Sequence, residues 1–88
     1  MRLLTTRRFE RDLKRAKKRG RDLERLWIVV ERILVGRPLE PRHRLHRLSG
    51  KWSGSWECHI APDWLLIRTR DEKTVVLVRT GTHADLFE

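Results

Sequence analysis

Between Gly36 and Gly50 the hydrophobic residues of this 88-residue chain change their period. Before that stretch, Phe9, Leu13 and Ala16 recur at i, i+4 and i+7, and Leu23, Leu26, Trp27, Val30, Ile33 and Leu34 follow the 3.6-residue repeat of an amphipathic helix. After it, Lys51 to Ile60, Trp64 to Arg70 and Thr74 to Thr80 are rich in Trp, Ile, Val, Leu and Thr, with polar breaks at Ala61-Pro62-Asp63 and Asp71-Glu72-Lys73. A stripe of one period cannot settle as the other element, so the two halves must form different layers. Folding a chain this short buries only about 60–65% of its unfolded surface, which leaves material for one domain, spanning residues 1–88.

Local signals place the ends of the elements. Thr6 can cap a first helix, Gly20 suits the left-handed residue that stops it, Asp22 can cap a second, and Gly36 with Pro38 ends that one. Helices joined by so short a turn lie antiparallel. Arg2 to Thr5 reads as a first strand, and the short breaks of the second half join antiparallel neighbours. The expected fold is α+β, in the order β-α-α-β-β-β, an antiparallel sheet with a two-helix pair packed on one face. The aperiodic stretch with Pro38 and Pro41 is too long for a mere connection and reads as functional.

Charge divides the chain as sharply as period does. The net charge of +9 resides in residues 1–44, whereas residues 45–88 carry equal numbers of acids and bases but three of the four histidines and three of the four tryptophans. Most of the basic residues are Arg, whose planar fork matches phosphate and carboxylate oxygens. A polyanion or an acidic protein is the expected partner of the basic half, with a merely solvated surface as the competing reading. No apolar run approaches the roughly 18 residues that span a bilayer, and no signal-peptide core follows Met1. The single Cys58 has no disulfide partner, and a reducing cytoplasm is the expected location.

The second half holds His46, His59, Asp63, Arg79 and His83. If Trp56, Cys58 and Ile60 face the helices, Glu57 and His59 face away from them, and Cys58 is inert packing. Cleavage of an RNA phosphodiester by its own 2′-hydroxyl fits this inventory. One group withdraws the 2′ proton, another protonates the departing 5′ oxygen, and a cation steadies the phosphate. Histidine can carry either proton near neutral pH, and arginine suits the phosphate. Trp52 and Trp64 could stack on unpaired bases, although Trp27 is expected in the core, Trp52 and Trp56 favour packing, and Trp64 is balanced between the two. Asp63 after Pro62 can equally serve the turn, and the direction of Arg79 is ambiguous because both faces of its strand are partly apolar. A zinc site is the weaker reading, because His59 and Asp63 with a remote His46 or His83 lack tightly spaced ligand pairs. No metal or other cofactor is expected.

Three ordered segments carry a resemblance: His46-Arg47-Leu48-Ser49-Gly50-Lys51-Trp52-Ser53-Gly54, Glu57-Cys58-His59-Ile60-Ala61-Pro62-Asp63-Trp64-Leu65-Leu66-Ile67, and Arg79-Thr80-Gly81-Thr82-His83-Ala84-Asp85-Leu86-Phe87. With the Phe9, Asp12 and Leu13 pattern of the helical half, they resemble the YafQ-type branch of the RelE/ParE toxin superfamily. The resemblance implies the toxin of a type II toxin–antitoxin pair, a ribosome-dependent mRNA endonuclease acting in the A site without metal. It implies functional positions at His46, His59, Asp63, Trp64, Arg79, His83 and Phe87. His83 would be the general acid, the base is open between Asp63 and His59, and Arg79 would steady the scissile phosphate. Phe87 would position substrate or the tail that carries His83. The resemblance also implies Arg in many relatives where this chain has Trp56, so a phosphate contact is either missing or supplied by Arg68, Arg70 or Arg47. The implied partners are mRNA on the ribosome, ribosomal RNA against the basic helices, and a cognate antitoxin with an acidic or amphipathic wrapping segment. A ParE-like topoisomerase inhibitor and an inactive basic RNA-binding module are the alternatives.

Overall fold

The computed structural model describes residues 1–87. Strand β1 (Arg2–Thr5) leads directly into helix α1 (Arg7–Lys18), and a tight turn joins it to α2 (Leu23–Leu34). The expected capping is present. The Phe9 amide donates to Thr6 Oγ1 at 3.0 Å, and the Glu24 amide donates to Asp22 Oδ1 at 3.1 Å. Gly20 and Gly36 take φ 79° and 74°, the left-handed conformation that lets the next amides fold back on helix carbonyls.

The connection after α2 is not structureless. It contains a single helical turn at Pro41–His43, a two-residue strand β2 (His46–Arg47) and a second turn at Gly50–Trp52. Strands β3 (Trp56–Ala61), β4 (Trp64–Arg70) and β5 (Thr74–Gly81) form the expected meander, and a short helix α3 (His83–Phe87) follows. The five strands lie in the order β1-β5-β4-β3-β2. Strand β3 begins later than its sequence pattern suggests, because Trp52 belongs to the preceding turn and Gly54 turns the chain at φ 89°.

The sheet is mixed, which corrects the expectation of a purely antiparallel one. Strand β1 runs parallel to β5, with Arg2 opposite Thr74 and Thr5 opposite Leu77. No short turn links β1 to its partner, so local sequence leaves its direction open. Where β1 ends, α1 takes over the edge of β5. Thr6 Oγ1 donates to the Val78 carbonyl at 2.7 Å, and the Thr80 amide donates to Asp12 Oδ2 at 3.1 Å.

Both helices pack on one face as expected, around Phe9, Leu26, Val30, Ile33, Cys58, Trp64, Leu66 and Leu77. Trp27, expected in the core, is 40% exposed and meets Phe9 edge-on, while Val29 is buried in its stead. The opposite face has a smaller core of Leu65, Ile67 and Leu86 under Leu48, Trp52 and Val78. That second core docks α3 and the Gly50–Trp52 turn onto the face away from α1 and α2. A bulge at Val78 leaves Arg68 opposite Leu77 but Ile67 opposite Arg79. No helix among the described residues is long and apolar enough to cross a membrane.

Candidate active site

Strand register gathers the histidines. His46 lies opposite Glu57, and Glu57 opposite Ile67 of the small core, so all three share the face turned from α1 and α2. His59, two residues beyond Glu57, points the same way, as a diagonal neighbour of His46 at roughly 7–8 Å by strand geometry. Helix α3 brings His83 to this surface from the end of β5. The His59 and His83 rings are 6.1 Å apart between centroids. Register thus puts His46 and His59 on one face, and His83 stands beside His59.

Each ring has a different environment. His46 Nδ1 lies 2.8 Å from the Arg44 carbonyl and Nε2 2.6 Å from Glu57 Oε2, so both nitrogens face acceptors. No lone pair of His46 is left to aim at a substrate. Glu57 is 3% exposed, and among the described residues its Oε1 has no hydrogen-bond partner while Oε2 meets this ring. His83 is fixed by Asp63, which accepts from the His83 amide at 3.2 Å and lies 3.6 Å from Nδ1. His83 Nε2 stays open. His59 is half-buried and has no hydrogen bond among the described residues.

Helix α3 is tied down by Asp85. Its carboxylate accepts from Arg19 Nη1 at 2.7 Å and from the Thr82 amide at 2.9 Å, and its own amide donates to Thr82 Oγ1 at 3.1 Å. The Arg19 guanidinium holds the Asp85 carboxyl well below the usual carboxylate range. Phe87 lies against His83, at 5.7 Å between centroids, and meets Trp52 edge-on at 6.1 Å.

Several expected site residues are placed elsewhere. Trp64 is 2% exposed, packed in the main core beneath the Arg21 guanidinium with Nε1 donating to Thr80 Oγ1, so it offers no face to a base. Arg79 is buried, its Nε and Nη2 donating to Asp12 at 2.7 and 3.1 Å, so the guanidinium expected to hold phosphate is bound to a carboxylate. Arg68 is 6% exposed and lies opposite Trp56 and Leu77, on the helix-bearing face. Its Nε and Nη1 are unpartnered, and burial lowers its pKa. Arg70 opens beside Arg68 into a cleft shared with Leu45 and Trp56. Neither stands beside the histidines. Arg47 stacks over Trp56 at 5.1 Å. Burial pushes the Cys58 thiol up to about 12, which leaves it the inert packing residue expected.

Sequence reasoning had no role for Glu57, for the Asp12–Arg79 pair or for the Arg19–Asp85 clamp. Alternation did put Glu57 beside His59, and that was the usable signal; the other two join residues distant in the chain.

The profile of the family described as bacterial toxin of type II toxin–antitoxin system, YafQ, matches residues 1–88. The chain belongs to the YafQ family. The mRNA interferase toxin YafQ of Escherichia coli is 36% identical over 80 residues, covering 90% of this chain and 87% of that one. A crystal structure of YafQ from E. coli superposes with a TM-score of 0.95 at 32% identity over 100% of both chains. A second solved structure, the E. coli DinJ–YafQ toxin–antitoxin complex, matches with a TM-score of 0.90 at 33% identity, covering 98% of this chain and 96% of that one. The YafQ fold accordingly spans the whole described sheet, with the short helix that carries His83.

Proposed function

We propose that this toxin is an mRNA interferase, a ribosome-dependent endoribonuclease that cuts translated message in the A site by attack of a 2′-hydroxyl on the adjoining phosphodiester. The observation that carries this reading is the His59–His83 pair, 6.1 Å between centroids, with Asp63 orienting His83. A phosphate between two such rings has one on the side of the 2′-hydroxyl and the other on the side of the leaving oxygen. His83, with Nδ1 toward Asp63 and Nε2 open, is the general acid. His59 is the base in preference to Asp63, because Asp63 is committed to His83 and His59 is free. His46, anchored at both nitrogens, positions the strand and adds no proton transfer. Arg79 acts through Asp12 on the end of β5 that launches α3 and is a positioning residue in this reading. The chemistry needs no metal and no cofactor.

Antitoxin and ribosome compete for the same electrostatics. The basic residues of α1 and α2 face solvent and would meet either an acidic or amphipathic antitoxin segment or ribosomal RNA. Both partners, and the protein's work on translating ribosomes, place it in the cytoplasm.

The test is addition of purified protein to bacterial ribosomes programmed with a defined message, with cut ends mapped by primer extension. New ends within the A-site codon, lost with His83→Gln and sharply reduced with His59→Ala, are expected. Message left intact by the wild type, or growth arrest undiminished by a folded His83→Gln variant, would overturn the reading.

A further inference from the structure

A cavity of about 350 Å³ opens beside His59, lined by Arg25 of α2, by Arg42 and Arg44 of the turn before β2, and by the Ile60-Ala61-Pro62 corner. Three arginines from two separate elements thus border one small space, and His59, assigned above as the base, is part of its wall. Their neutralisation is incomplete. Arg42 Nε lies 3.0 Å from Glu40, a carboxylate that also takes Arg32 at 3.2 Å, and Arg25 Nη2 donates to the Ile60 carbonyl at 3.3 Å. Arg44 has no side-chain partner among the described residues, and like charges left together in one cleft favour an anion there.

The backbone at Arg44 is a second, independent sign. At φ 45° and ψ 48° it is the one non-glycine among the described residues in the left-handed region, a conformation that Gly or Asn adopts at less cost. That conformation aims the Arg44 carbonyl at His46 Nδ1, and the same residue lines the cavity beside His59. One residue therefore serves two of the three histidines.

We propose that the Arg25–Arg42–Arg44 cavity is a subsite for a backbone phosphate of the message, the one neighbouring the scissile phosphate. This rests on the endonuclease reading and extends it. The occupant is a phosphodiester because three arginines with incompletely neutralised charge border the space, and their forked N–H donors match phosphate oxygens. Its seat against His59 makes it the message strand and not ribosomal RNA.

The test uses the full chain with Arg42→Gln/Arg44→Gly, in which glycine relieves the left-handed strain and keeps the Arg44 carbonyl in place. Binding is measured by filter retention on ribosomes carrying a message with a 2′-deoxy residue at the cut site, and on ribosomes without message, across a salt series. On programmed ribosomes the double variant should bind about tenfold more weakly and its log K against log salt slope should fall by about 1. Vacant ribosomes should bind it like the wild type. Arg42→Lys/Arg44→Lys, which keeps the charge, should restore most of the affinity and guards against loss through misfolding. Equal weakening on both ribosome samples would assign the cavity to ribosomal RNA and overturn the proposal. So would unchanged affinity on both while wild-type protein cuts message, and this would leave the nuclease reading standing. Wild-type protein that cuts no message would sink that reading and the subsite with it.

Discussion

Removing the Asp12 carboxylate is expected to be the most destabilising single change outside the apolar core. Asp12 is 6% exposed, and its two oxygens accept from Arg79 Nε at 2.7 Å, Arg79 Nη2 at 3.1 Å, the Thr80 amide at 3.1 Å and Arg15 Nη2 at 3.1 Å. Arg15 is exposed and contributes little. Asp12→Ala leaves the Arg79 cation buried without a partner, which costs about 3–5 kcal/mol. The orphaned Thr80 amide adds about 1 kcal/mol. Against a total stability of about 4–13 kcal/mol for a domain this size, the sum of roughly 4–6 kcal/mol removes about a third or more. At about 4–8 °C per kcal/mol, Tm should fall by roughly 15–50 °C. Urea and thermal unfolding followed by tryptophan fluorescence reads this directly, since Trp64 donates to Thr80 Oγ1 at 3.0 Å beside the lost contact. Asp12→Ala/Arg79→Met removes the stranded cation as well and should recover most of the loss. A single variant that loses under about 1 kcal/mol, or a double variant no more stable than the single, would show that the pair is not the link between α1 and β5 described above.

Three further outcomes follow from contacts elsewhere. Glu57→Leu strips His46 of its Nε2 anchor at 2.6 Å, so cleavage of programmed message should fall by about 10²-fold while unfolding shows little or no loss of stability. Arg68→Met replaces a buried guanidinium with two unpartnered nitrogens by a flexible apolar chain, and should raise stability by about 1–3 kcal/mol with cleavage unchanged in the ribosome assay. The Asp85 carboxyl is depressed by Arg19, so its contribution is fully present above the unfolded carboxyl pKa of about 3.9 and is lost as pH falls through the folded value. Acid titration followed by the NMR shifts of His83 should show α3 loosening below about pH 4 in the wild type, and Asp85→Asn should abolish that step.

How far sequence reached depended on the range of each interaction. Thr6, Gly20, Asp22 and Gly36 act within a turn of their own position, and each did what its chemistry implied. The face of Glu57 and His59 followed from alternation alone, because Cys58 and Ile60 are unmistakably apolar. The direction of β1 and the bulge at Val78 depend on strands meeting from far apart in the chain. That is why Arg79 remained ambiguous until Asp12 was seen beside it. Trp64 is balanced in the sequence for a related reason: a tryptophan after a turn can serve core or surface, and the Thr80 hydroxyl that satisfies its indole N–H decides between them. The roles of Glu57 and Asp85 were invisible because a carboxylate shows no period.

The supply of cations near the reacting phosphate brings these placements together. Transition-state charge on the phosphate oxygens calls for a positive group on the histidine face. Arg79 is bound to Asp12 by two nitrogens. Trp56 and its cross-strand partners Arg47 and Arg68 share one face, away from His46 and His59. An exchange of Arg and an apolar residue within that row therefore leaves the histidine face as poor in cations as before. Among the described residues, the guanidiniums that share a wall with His59 are those of Arg25, Arg42 and Arg44. Two of them come from the proline-containing stretch before β2, whose left-handed turn at Arg44 also fixes His46. If the nuclease reading holds, that stretch positions one imidazole and supplies the missing positive charge beside another, which accounts physically for its length and for its arginines.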